Sequence, residues 1–225
     1  MPHANVLAHR DITNELGLIG EWLDARGWTH RRLWREDDAD SSGDDFPEAD
    51  ALIVLGSLDS VATGHCVVWA PNEMDRIRRW IGEDRPYLGV CFGAQILATT
   101  LGGEVQRRST FYRAVKTVPW TGGSSRGPWV LWHEDAITSP GSAEVVSELP
   151  HAVIALRSGN AWGVQAHIEL DAPALERLAQ ALDAPEATSR PCIDFLHENA
   201  SKVTAATFEF LDLALASPSK QAHES

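Results

Sequence analysis

Basic residues are scarce in this chain. Nineteen Lys and Arg against 32 Asp and Glu leave a formal net charge of -13 at pH 7. That excess repels phosphate backbones and anionic membranes, which argues against nucleic acid or a membrane as partner and fits a solvated acidic surface. Cysteine is scarce too. Cys66, Cys91 and Cys192 are odd in number and widely spaced, which excludes a disulfide framework or a metal-ligand cluster and fits a reducing, cytoplasmic compartment. No apolar run is long enough to span a bilayer, and residues 1–10 lack the apolar stretch of a secretory signal. Neither a phosphate-binding P-loop nor a G-x-G-x-x-G fingerprint occurs. No cofactor and no metal are expected.

What is present suits one globular core. The chain has 225 residues, 44% of them hydrophobic, with nine tryptophans, enough for a single large α/β domain over 1–216 followed by a frayed tail at 217–225. Short apolar runs at 5–9, 30–34, 51–55 and 86–90 read as strands. Segments 12–26, 72–82 and 94–101 carry helical spacing, with Ile12, Leu16, Ile19 and Leu23 along the first and Met74, Ile77, Arg78 and Ile81 along the second. Residues 36–50 read as an acidic loop. Strand and helix thus alternate through the first hundred residues, which predicts a doubly wound sheet, mostly parallel. The second hundred is richer in strand, with candidates at 104–118, 129–133, 151–156 and 161–167. Helices at 173–182 and 203–215 close the chain, and 183–201, with two prolines, reads as an irregular surface segment or lid.

The sharpest local feature is Gly89-Val-Cys91-Phe-Gly93, directly after a buried strand and directly before a helix. This is the layout of a nucleophile elbow with cysteine in place of serine. The turn is tight enough to strain the nucleophile's backbone and to demand small neighbours. The sulfur then sits at a helix N-terminus, which favours thiolate. Taken alone, a cysteine between two glycines is as often a small buried residue. A nucleophile also needs a base and the base an orienter. Gly163-Val-Gln-Ala-His167-Ile-Glu169 supplies both types two residues apart, a spacing that on a strand points them to one face.

These two motifs, in this order and separation, resemble the class I glutamine amidotransferases. Leu52-Ile-Val-Leu-Gly56-Ser57 is similar to the family's strand and oxyanion loop. Trp132-His133-Glu-Asp135 with Pro140, and Ser158-Gly-Asn160-Ala-Trp162-Gly163, are similar to the branch of the GMP synthetase glutaminase domain. The resemblance covers 6–169. It implies a flavodoxin-like three-layer α/β sandwich with an added β segment. It further implies Cys91 as nucleophile, His167 as general acid/base, Glu169 as orienting carboxylate, the backbone N–H groups of Phe92 and near Gly56 as oxyanion hole, and Gln95 and Ser57 in the substrate pocket. The substrate would be glutamine or another γ-glutamyl compound, cleaved through a thioester, with the ammonia passed to a separate synthetase.

The sequence departs from the family where an aromatic and a proline usually flank the histidine; Ala166 and Ile168 stand there. Leu58 replaces a common proline. Ser109-Thr-Phe-Tyr-Arg-Ala114 replaces an E-x-G segment, so Tyr112 and Arg113 are open to a substrate role or to plain packing. The altered surroundings of His167 leave room for a second reading, a stand-alone γ-glutamyl hydrolase or transferase. A catalytically silent binding protein is a third, against which the complete Cys-His-Glu set counts. Cys66 and Cys192, and His30, His65, His151 and His197, are expected to be structural or exposed, and His133 with Asp135 is not expected to bind metal.

Overall fold

The central short runs become a parallel sheet because they are buried on both faces, as strands covered by helices must be, while the edge run at 29–34 is exposed over its first half. A computed structural model describes residues 1–38, 45–64 and 66–215. The tail at 217–225, His65 and the centre of the acidic loop lie outside the described residues.

Strands β1 (His3–Ala8), β2 (Thr29–Trp34), β3 (Ala51–Val54), β4 (Tyr87–Val90), β7 (Glu144–Leu149), β8 (Ala152–Ser158) and β9 (Ala161–Val164) form one sheet in the order β2-β1-β3-β4-β9-β8-β7. The pairs from β2 to β9 are parallel, and β8 runs antiparallel to both β9 and β7. Alternate side chains feed opposite cores, as the two-residue period of a strand requires. Ala4, Val6, Ile53 and Leu55 face one apolar cluster, while Leu7, Leu52 and Val54 face the other. Helices α1 (Gly17–Ala25) and α7 (Ala200–Leu215) cover the first face through Ile19, Trp22, Phe210 and Leu211; α3 (Ala70–Gly82) and α4 (Phe92–Thr100) cover the second through Ile77, Trp80, Ile96 and Leu97. This is the expected three-layer sandwich. The added β segment is a separate long hairpin of β5 (Glu104–Pro119) and β6 (Ser125–Ser139).

Several expectations are corrected. The first helix does not begin at Ile12. A 3₁₀ turn at Ile12–Asn14 is followed by Glu15 in an extended conformation, and α1 starts only at Gly17, whose φ is +42°. Residues 35–38 form a short helix, α2 (Arg35–Asp38), rather than loop. On α3 the buried stripe is Glu73, Arg76, Ile77 and Trp80, and Arg78 is exposed. The rotation follows from a buried ion pair, Arg35 Nε to Glu73 Oε2 at 2.8 Å, and from Arg76 stacking on Phe46. The segment 183–201 is largely helix: α5 (Ala172–Ala181) is followed by α6 (Glu186–Glu198), which holds Pro191 in its interior. Buried Cys192, Ile193 and Leu196 on one face of α6 offset the hydrogen bond that proline removes. Strand β7 is an addition to the sequence reading.

Candidate functional site

Cys91 sits between β4 and α4 with φ +51° and ψ -103°, a conformation costly for any residue with a side chain. The flanking glycines explain how the chain gets there. A Cβ on Gly89 would lie 2.2 Å from the Gly93 carbonyl oxygen, and one on Gly93 would lie 2.1 Å from the Val54 carbonyl oxygen. The Cys91 N–H donates to the Val164 carbonyl at 2.8 Å, so β9 fixes the elbow from one side. Phe92 and Gly93 open α4, and the N–H groups of a helix's first turn have no intrahelical acceptor.

His167 lies beyond the end of β9, not on it. The strand stops at Val164, and His167 is held by an isolated bridge to Val130. The expectation of a shared strand face is therefore corrected, yet His167 and Glu169 still meet, with Nδ1 to Oε1 at 2.6 Å. Four ties outside a regular ladder hold the segment. The Gln165 N–H donates to Ile154 O (2.8 Å) and the His167 N–H to Val130 O (2.7 Å). Ile168 O accepts from the Thr207 hydroxyl (3.0 Å) and Glu169 O from the Leu18 N–H (2.9 Å). Gly17 is thus part of the site's scaffold, since a Cβ there would lie 2.0 Å from Glu169 O.

The His167 ring lies close enough to Cys91 for the two to influence each other's charge. Burial acts to lower the imidazole's proton affinity, but the charges of Glu169 and Cys91 and the hydrogen bond to Glu169 outweigh it, and its pKa lies well above the ordinary histidine value. Burial instead pushes the Cys66 and Cys192 thiols up, the condition of inert structural cysteines. Gly56 completes the centre. Its α-carbon faces the ring so closely that an added Cβ would stand 3.5 Å from His167 Cε1 and 4.0 Å from Cys91 Cβ.

A cleft of about 870 Å³, open mouth included, runs over Cys91, His167 and Glu169 and is also lined by Gly56, Ser57 and Gln95. Phe92 is buried beneath the elbow. The Gln95 amide is largely committed: Nε2 donates to Asp135 O at 3.1 Å and to Gln165 Oε1 at 3.4 Å. Gln165 Nε2 in turn lies 3.6 Å from Cys91 Sγ. Gln95 therefore braces the surroundings of Cys91 as well as lining the cleft. Ser57 accepts from the Asp59 N–H at 3.0 Å and shapes the loop after β3. Ser60 donates to Asp135 Oδ2 at 2.5 Å, tying that loop to the hairpin. His133 donates from Nδ1 to Asp135 O at 2.9 Å; burial, the largest influence, lowers its pKa to about 4, so it is neutral at physiological pH. Tyr112 lies against His151, ring centroids 4.1 Å apart, and Arg113 lies over Phe111 and Trp132. Both are packing contacts of the hairpin. No cluster of three or more His, Cys, Asp or Glu suited to a metal occurs among the described residues, and none of their helices is long and apolar enough to cross a membrane.

The sequence reading missed Gly17, Thr207 and Val130. Gly17 left a trace, a glycine interrupting the helical spacing; Val130 acts through its backbone carbonyl and Thr207 through a hydroxyl inside an ordinary helical stretch, and neither left one.

Comparison with known proteins places this geometry. The family described as glutamine amidotransferase class-I matches residues 24–174. A GMP synthase [glutamine-hydrolyzing] of Thermus thermophilus is 41% identical over 103 residues, covering 41% of this chain and 20% of the relative. One of Aeropyrum pernix is 28% identical over 178 residues, covering 75% of this chain and 31% of the relative. The chain thus spans under a third of the length of these curated relatives. Among solved structures, a glutamine amidotransferase of Thermotoga maritima superimposes with a TM-score of 0.82 at 19% identity, over 96% of this chain and 99% of that one.

Proposed function

The chain belongs to the class I glutamine amidotransferase family, and from that premise we propose that it hydrolyses a γ-glutamyl amide, glutamine in the first instance, through Cys91, His167 and Glu169. The observation that carries the reading is the contiguous chain from the strained cysteine to the buried imidazole to the carboxylate, at 2.6 Å for its last link. Glu169 fixes the ring's orientation and favours its protonated form. Cys91 sulfur attacks the γ-carbonyl carbon. The carbonyl oxygen turns to the N–H of Phe92 and to the loop at Gly56, where fixed donors typically lower such a barrier by ~3–4 kcal/mol. His167, which holds its proton at neutral pH, hands it to the departing nitrogen, and the C–N bond breaks to leave a γ-glutamyl thioester. Water, deprotonated by the same imidazole, then releases glutamate, freeing the Cys91 sulfur and restoring the imidazolium.

In this reading the ammonia serves a separate synthetase subunit. A second reading, a self-sufficient γ-glutamyl hydrolase, is favoured by one feature: much of the cleft's wall is apolar, with Leu170, Leu178 and Leu182 among its residues. Glutamate release from glutamine by the purified chain, beside Cys91→Ser, tests the shared chemistry. Turnover that vanishes in the variant supports it; turnover that persists there refutes it.

A further inference from the structure

The cleft is more apolar than glutamine requires. Beyond the catalytic centre it is lined by Ile12, Phe111, Trp132, Leu170, Leu178 and Leu182. Four different parts of the chain contribute them: the 3₁₀ turn before α1, the hairpin, the segment after Glu169, and α5 with its C-terminal cap. Trp132, Leu170 and Leu178 are members of a single apolar cluster, with Ile12 and Leu182 packed at its edge. Phe111 stands edge-on to Trp132, centroids 6.2 Å apart, and remains 37% exposed.

Neither half of glutamine calls for such a wall. The α-amino and α-carboxylate groups need polar partners, and the leaving ammonia has no hydrocarbon to bury. The charges at the rim narrow the choice further. The Arg107 guanidinium in the lining is already paired with Glu134 and lies 3.7 Å from Asp135 Oδ1, and Glu15 pairs with Arg177. No unpaired Lys or Arg among the described lining residues awaits a second carboxylate, so a γ-glutamyl amino acid fits poorly.

We infer that the apolar wall is a leaving-group subsite, and that this chain cleaves γ-glutamyl amides of apolar amines that carry no carboxylate. The inference rests on the Cys91–His167–Glu169 reading and names its substrate class. The balance is that of hydrolysis: the sulfur–carbon bond replaces the amide bond, the amine departs with the His167 proton, and one water yields glutamate. Burying a few carbons in such a wall favours one amine over another by on the order of tenfold or more.

The experiment compares kcat/KM for L-γ-glutamylbenzylamide, L-γ-glutamylisobutylamide, L-γ-glutamylglycine and glutamine, in wild type and in Phe111→Ala. Glutamate release at least tenfold more efficient from the two apolar amides, with that ratio falling fivefold or more in Phe111→Ala, is the expected result. Equal efficiencies, a preference for glutamine, or a ratio untouched by the variant overturns the subsite while leaving the triad standing. Release from none of the four overturns the triad reading and the subsite with it.

Discussion

Replacing Gly17 by alanine separates a scaffold role from a merely conformational one. Gly17 has φ +42°, and an added Cβ would lie 2.0 Å from Glu169 O, where real Cβ contacts stay beyond 3.0 Å. The left-handed conformation costs an alanine roughly 1–2 kcal/mol. In a chain of this size that lowers Tm by about 2–8 °C. The clash adds a second effect, because Glu169 must retreat by about 1 Å and takes with it the carboxylate that holds His167. A displacement of that size at a reacting group costs on the order of 10²-fold in rate. Gly27→Ala is the matched control: its φ is +68°, but nothing lies within 4 Å of the added Cβ. Thermal melts and glutamate-release kinetics on both variants should show similar backbone penalties, with the large loss of kcat confined to Gly17→Ala. A Gly17→Ala enzyme within twofold of wild type, or a Gly27→Ala enzyme equally crippled, refutes the reasoning.

Glu169→Gln keeps the shape but removes the charge that favours the imidazolium, and kcat should fall by about 10³-fold or more with little change in KM; a loss under tenfold would deny Glu169 its role. Glu73→Gln strips the charge from a buried ion pair and leaves Arg35 unmatched beneath Phe92 and Trp69. It should cost about 3–5 kcal/mol by denaturant titration, and Arg35→Met with Glu73→Leu should recover most of that. His133 is held neutral, with a folded pKa of about 4 against about 6.5 unfolded. The unfolded chain therefore binds its proton first, and stability present above pH 6.5 is lost as pH falls towards 4. The span is roughly 3 kcal/mol, and a His133→Asn chain should show that much less acid sensitivity over this window.

The parallel half of the fold was legible because buried strands and elbow glycines obey local rules. Residues 51–54 and 87–90 are buried throughout, and Gly89 and Gly93 are demanded by carbonyl oxygens 2.1–2.2 Å from their missing Cβ atoms. Strand β7 was not legible: Glu144, Ser147 and Glu148 dilute its apolar content, and its register against β8 shifts at Ser147. The proline in α6 masked a helix whose stability comes from tertiary burial. Cys91, His167 and Glu169 were identifiable as residue types in order, but their arrangement was misjudged, because the ties to the Val130 carbonyl and the Thr207 hydroxyl have no sequence signature. The apolar wall of the cleft was invisible for the same reason, being assembled from four separate parts of the chain.

The most direct measurement is an acid quench during turnover of a γ-glutamyl amide, followed by mass mapping of the three cysteine peptides. A γ-glutamyl adduct on the Cys91 peptide alone, absent from Cys91→Ala, is the predicted result. Glutamate release without an adduct on Cys91, or with one on Cys66 or Cys192 instead, would contradict the account.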